Sequence, residues 1–178
     1  EIEKLRPLIE EKVISWNGNE IQEILKEILT KKNLTISTAE SCTGGEITRL
    51  ITSVSGSSKY FQGGIVPYNY HQKIKILGVS AETISEKTVV SKEVAQEMTL
   101  GCHKLFGTDI SVSTTGVSGP NSDEFNNEIG VVFYSIRVGN FEKTNRLFLP
   151  HLERNDFANY VSQRVLQDLV EILVKEIS

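Results

Sequence analysis

Ile21, Ile24, Leu25, Ile28 and Leu29 recur at intervals of three and four, with polar residues between them. That period places all five on one face of a helix. Asn17-Gly18-Asn19 ahead of it is turn chemistry, with Asn19 positioned as a cap. Leu34 to Thr38 predicts a strand, and Glu46 to Val54 returns to a helical pattern that ends in the loop Ser55-Gly56-Ser57-Ser58. From Tyr60 to Tyr70 the pattern predicts a strand entered through Gly63-Gly64, centred on Ile65-Val66 and broken near Pro67. His71 to Leu77 predicts a short helix closed by Gly78. Ser91 caps a longer helix to Phe106, where Val94, Met98, Cys102 and Leu105 share a face. Asp109 to Thr114 reads as a strand running into Thr115-Gly116-Val117-Ser118-Gly119-Pro120. Asn121 to Glu128 is a polar, acidic loop. Ile129 to Val138 and Phe141 to Leu149 form a hairpin turning at Gly139-Asn140. The last helix, about Asn155 to Ile177, buries Phe157, Val161, Val165, Leu169, Ile172 and Leu173.

Helices and strands alternate, with one late hairpin. This predicts an α/β fold, a three-layer α/β/α sandwich around a mixed, mostly parallel sheet. With 178 residues the chain suits one domain, assigned to 20–178. Residues 1–19 form a polar lead-in or linker with one apolar patch (Leu5, Leu8, Ile9, Val13, Ile14, Trp16). A net charge of −4 argues against a nucleic-acid partner. No apolar run reaches membrane-spanning length and no signal peptide opens the chain, so no membrane partner is expected. Two cysteines, Cys42 and Cys102, do not make a disulfide framework, and a cytoplasmic location fits best.

The chemistry concentrates at Thr38-Ala39-Glu40-Ser41-Cys42-Thr43-Gly44-Gly45, where a strand gives way to a helix. Two glycines let the backbone turn sharply and approach a ligand, and free helix N–H groups can face an anion or oxyanion. Ser41 and Thr43 are hydroxyls at that point, readable as a nucleophile or as helix caps. The loop from Gly116 to Pro120 also follows a strand and could converge with the first, since ligands bind beyond the carboxyl ends of strands in open α/β sheets. Neither loop carries GxGxxG or GxxxxGK[ST]. Lys73 is the natural activator of a serine if desolvation keeps it neutral, and otherwise a solvated surface lysine. Tyr68 lies five residues earlier. Cys42 reads either as a thiol activated beside a helix N-terminus or as a small buried hydrophobe. His71, His103 and His151 are scattered, without metal-ligand spacing, so no metal is expected.

Taken in order, AESCTGG (39–45), GSS-x-x-F-x-x-G (56–64), Tyr68 with Lys73, LGVS (77–80), VVS-x-E-V-A-x-E-M (89–98) and TGVSGP (115–120) form a set of motifs. This set resembles the C-terminal domain of the CinA family, the competence/damage-inducible proteins. The resemblance runs from about Ile21 to the end. It implies an amidohydrolase that converts nicotinamide mononucleotide and water to nicotinic acid mononucleotide and ammonia. By that resemblance Ser41 is the catalytic serine, Lys73 the lysine that activates it, and Tyr68 an assisting tyrosine. Thr115 is a hydroxyl of the site and Arg154 a ligand for the substrate phosphate. N–H groups around Thr43, Gly44 and Gly45 would hold the oxyanion. No metal or organic cofactor is implied. The resemblance also implies a homodimer, and the lead-in, with its Glu1 start, implies fusion after an N-terminal domain in a longer protein.

The periphery departs from the family pattern. Asn121-Ser122-Asp123 follows Pro120, and Asn127-Glu128-Ile129-Gly130 stands where a Lys-Pro-Val-Gly stretch is usual. A lysine is lost and a carboxylate gained, which would weaken anion binding if that loop faces the site. Tyr68-Asn69-Tyr70 replaces Tyr-Ser-Asn, and Ala158 stands where a second arginine is common. Two other functions therefore compete with the deamidase: a catalytically weak module binding a nucleotide or a partner, and a hydrolase of another amide.

Overall fold

The computed structural model describes residues 20–175. In chain order the elements are α1 (Ile21–Lys32), β1 (Ile36–Glu40), α2 (Glu46–Thr52), β2 (Phe61–Ile65), α3 (Tyr70–Leu77), α4 (Ala81–Lys87), α5 (Lys92–Phe106), β3 (Ile110–Gly116), β4 (Val131–Val138), β5 (Phe141–Phe148) and α6 (Arg154–Lys175). A single 3-10 turn, Ser57–Lys59, precedes β2. The lead-in, the Asn19 cap and the end of α6 beyond Lys175 lie outside the described residues. No helix among the described residues is long and apolar enough to cross a membrane.

The five strands lie in the order β2-β1-β3-β4-β5. β1 pairs in parallel with both β2 and β3, whereas β4 is antiparallel to β3 and to β5. Four of the five strands therefore share one direction and β4 alone opposes it. The sandwich is thus α/β and mixed, as the alternation predicts. Helices α1, α2 and α6 cover one face, packing on Ile36, Ile110, Val112, Val132 and Ile136. Helices α3, α4 and α5 cover the other, around Ala39, Leu77, Ile84, Val94, Met98 and Cys102. β1 sits between β2 and β3, so the chain leaves it in one direction to β2 and returns past it to β3. That switch point opens a crevice at the carboxyl ends of β1 and β3.

Several boundaries differ from the pattern. β1 starts two residues later than expected because it is buried on both faces, which hides period-2 alternation. β2 runs through its glycines rather than after them. A Cβ at Gly64 would lie 2.3 Å from Thr38 Oγ1, and one at Gly63 2.4 Å from the Phe106 ring, so glycine lets β2 pack. Leu105 is not on the buried face of α5: it is 49% exposed, while Phe106 packs over Gly63. Helix α4 escaped the pattern because Ile84 is its one buried residue. Ser80 caps it, accepting from the N–H groups of Glu82 and Thr83.

Candidate active site

The chain leaves β1 at Glu40, and Gly44 and Gly45, both at positive φ (63° and 99°), turn it into α2. Ser41 stands at the start of that turn, its N–H bonded to the Thr114 carbonyl at 3.1 Å. Facing it is Lys73, one turn into α3, which Asn69 caps by accepting from His71 N–H. Lys73 is 1% exposed, so the solvated-surface alternative is wrong for this residue. Its Nζ lies 2.8 Å from Ser41 Oγ, 2.8 Å from the Pro67 carbonyl and 3.5 Å from the Tyr68 carbonyl. The break after β2 at Pro67 is what delivers those two carbonyls. Burial lowers the Lys73 pKa from 10.5 to about 8. A neutral amine can give its two N–H bonds to the carbonyls and turn its lone pair to the Ser41 proton.

Glu40, which the sequence reading left without a role, is 0% exposed and accepts five hydrogen bonds. Oε2 takes Thr43 Oγ1 at 2.7 Å, Gly45 N–H at 3.1 Å and Ile47 N–H at 3.0 Å. Oε1 takes the Thr48 N–H and hydroxyl, each at 2.8 Å. The carboxylate thus occupies the N-terminus of α2, where its charge also complements the helix dipole.

This corrects the expected oxyanion donors. Gly45 N–H is committed to Glu40 and Gly44 N–H to the Ser41 carbonyl at 3.1 Å. The Thr43 hydroxyl is held by Glu40 and Thr114. Among the described residues, no backbone carbonyl accepts from the Cys42 or Thr43 N–H groups beside the nucleophile, and the Cys42 N–H reaches only its own thiol. Cys42 itself behaves as the small buried hydrophobe: burial pushes its thiol up to about 12.

Ser41, Tyr68, Lys73, Thr115 and Arg154 line one cavity of about 320 Å³, together with Val89, Val90, Val117 and residues 121–124. Thr115 donates its hydroxyl to the Val89 carbonyl at 2.7 Å, which ties the β3 loop to the start of α5. The Tyr68 ring is 60% exposed at the mouth, and its hydroxyl accepts from Arg154 Nη1 at 2.9 Å rather than meeting the Ser41–Lys73 pair. Arg154 opens α6 and also donates Nη2 to the Gly119 carbonyl at 2.7 Å. Of the five donors on a guanidinium these bonds use two. A neighbouring cleft of about 720 Å³ shares Cys42, Tyr68 and Arg154, and adds Thr43, Gly44, Gly45, Arg49 and Ala158. Arg154 and Tyr68 therefore form the wall between the two spaces.

The departing loop divides into two parts. Residues 121–124 face the cavity, but the Asp123 carboxylate is occupied by Phe125 N–H, Asn127 N–H and Asn127 Nδ2, at 3.1, 2.9 and 2.8 Å. Asn127 accepts from Thr88 at 2.7 Å, and Glu128 pairs with Arg146 at 3.8 Å. Neither Asn127 nor Glu128 lines the cavity, so Glu128 does not oppose an anion there, whereas Asp123 and Glu124 do line it.

A family model described as the CinA C-terminal domain matches residues 18–173. A CinA-like protein of Flavobacterium psychrophilum is 41% identical over 180 residues, covering 99% of this chain and 41% of its own. One from Amoebophilus asiaticus is 34% identical over 174 residues, covering 98% and 41%. The chain therefore spans about two fifths of the length of these curated relatives. Among solved structures, a competence or damage-inducible protein from Enterobacter asburiae superposes with a TM-score of 0.83 at 26% identity, covering 88% of this chain and 99% of that one. The competence/damage inducible protein CihA from Agrobacterium tumefaciens gives 0.79 at 28%, covering 89% and 98%.

Proposed function

The chain belongs to the CinA C-terminal domain family, and from that premise we propose that it is a serine amidohydrolase converting nicotinamide mononucleotide to nicotinic acid mononucleotide and ammonia. The observation that carries this reading is the 2.8 Å contact between Ser41 Oγ and a buried Lys73 amine, whose pKa burial lowers to about 8.

Lys73 takes the Ser41 proton as Oγ bonds to the carboxamide carbon, and the carbonyl π electrons move to oxygen. The Cys42 and Thr43 N–H groups receive that oxyanion. The intermediate collapses, the C–N bond breaks, and the Lys73 ammonium returns its proton so that ammonia leaves. Water, deprotonated by Lys73, then attacks the acyl ester, and Ser41 departs with the proton. Lys73 lies in contact with the nucleophile, so it rather than Tyr68 carries both proton transfers. Tyr68 closes the outer side of the cavity. Arg154, with donors to spare, holds the phosphate away from the reacting bond.

The test is ammonia release from nicotinamide mononucleotide by the wild type beside Ser41→Ala and Lys73→Ala. Release should fall at least about a thousandfold in both variants. A folded wild type that releases no ammonia would overturn the deamidase reading and favour a binding module. Turnover that survives Ser41→Ala would refute the nucleophile.

A further inference from the structure

The Glu40 contacts have a direction. An ionised carboxylate only accepts hydrogen bonds, so the Thr43 hydroxyl donates its proton to Oε2 at 2.7 Å. Thr43 then has no proton for Thr114, and their 2.8 Å contact requires Thr114 to donate. Thr114 Oγ1 in turn lies 3.3 Å from the Ser41 N–H, which it accepts jointly with the Thr114 carbonyl at 3.1 Å. The chain of donors thus runs from the main chain of the nucleophile through two buried hydroxyls to one buried carboxylate. Glu40 and Thr114 are register partners on adjacent strands, so the sheet itself fixes their separation. On the other side of the loop the same carboxylate holds Gly45, Ile47 and Thr48. Helix capping alone would not require the branch through Thr43 and Thr114.

We propose that Glu40 is a positioning residue for the nucleophile: through Thr43 and Thr114 on one side and the first turn of α2 on the other, it fixes the Ser41 loop so that the Cys42 and Thr43 N–H groups stay available to the oxyanion. This rests on the serine amidohydrolase reading. It also means that the N-terminus of α2 is already filled by an anion from the protein and does not take the substrate phosphate.

Glu40→Gln tests it. An amide must set its NH2 against N–H groups on one side or the other, so the loop shifts while the side-chain volume is kept. A misplacement on the order of 1 Å can cost about a hundredfold. The expected result is a kcat lowered roughly 10- to 100-fold. KM should stay within about threefold, and the pH midpoint of kcat/KM should not move. Labelling of Ser41 by a fluorophosphonate should slow in parallel. Thr114→Val, which keeps the shape and removes only the relay, should lower kcat by about tenfold, and it serves if Glu40→Gln does not fold. A role confined to stability would lower the melting temperature of either variant while leaving kcat and labelling at wild-type values, and that outcome overturns the proposal. If the wild type labels at Ser41 but does not hydrolyse nicotinamide mononucleotide, the substrate reading fails and the labelling rates still decide the role of Glu40. A wild type that neither labels nor hydrolyses overturns both.

Discussion

The site has two halves held by different means. In the inner half, Ser41, Lys73, Glu40 and Thr114 are buried, and their side chains bond to one another's neighbours, to the Pro67 carbonyl and to the first turn of α2. In the outer half, Tyr68 and Arg154 lean on each other at the surface, and residues 121–128 form a loop tied mostly to itself. Under the proposed function, the inner half requires fixed geometry, because a buried lysine is useful as a base only while its neighbours stay in place. The outer half would then meet the part of the substrate that does not react and would tolerate variation. The departures from the family pattern accumulate in the outer half, at residues 121–128 and Ala158, while Ser41 and Lys73 of the inner half keep it.

Substitutions in the two halves should therefore fail differently. The largest effect is expected from Lys73→Met, which should remove turnover and also change stability with a definite sign. Burial lowers the folded pKa from 10.5 to about 8, so below about pH 8 the fold carries the cost of a buried charge. That cost is about 3 kcal/mol and is relieved as pH rises toward 10.5, where the unfolded chain also loses the proton. Thermal unfolding should show Lys73→Met gaining on the wild type most below pH 8, with the advantage shrinking above it. An advantage that grows with pH would contradict a buried, depressed lysine.

Arg154→Ala comes next. Loss of a charge-assisted contact worth about 1.5–3 kcal/mol should raise KM roughly 10- to 100-fold and leave kcat nearly unchanged. The dephosphorylated nucleoside should show almost no difference between the two proteins. An equal loss with both substrates would remove Arg154 from phosphate binding. Asp123→Ala should have the smallest effect. It frees three donors of an exposed loop, at a net cost of about 1 kcal/mol, and should raise KM by about fivefold without touching kcat. A change in kcat would show that the loop reaches the reacting centre, and the separation into two halves would fail.

Much of this was legible in the chain because long elements have clear periods and because loops at strand ends concentrate polar residues. The SCTGG turn marked a candidate site from local chemistry but left Ser41 and Thr43 open between nucleophile and helix cap, and only the resemblance singled out Ser41. Lys73 was not decided by its own surroundings in sequence; the fold buries it by bringing α3 across from the end of β1. Glu40 went unassigned because a carboxylate at the end of a strand reads as solvated. Its signal was indirect: α2 starts behind Gly44-Gly45, which offer no capping side chain, so another acceptor had to reach the first turn. The bond between Tyr68 and Arg154 joins residues 86 positions apart, and no local pattern encodes it. The helix from Ala81 to Lys87 lacked a periodic face because it buries so little.

The most direct test of the account is the pH dependence of kcat/KM for ammonia release from nicotinamide mononucleotide. The free enzyme needs neutral Lys73, so the account predicts a rate that climbs with pH and levels off through one ionisation at about 8. A profile that is flat or falling between about pH 7 and pH 9 would contradict Lys73 as the base that activates Ser41.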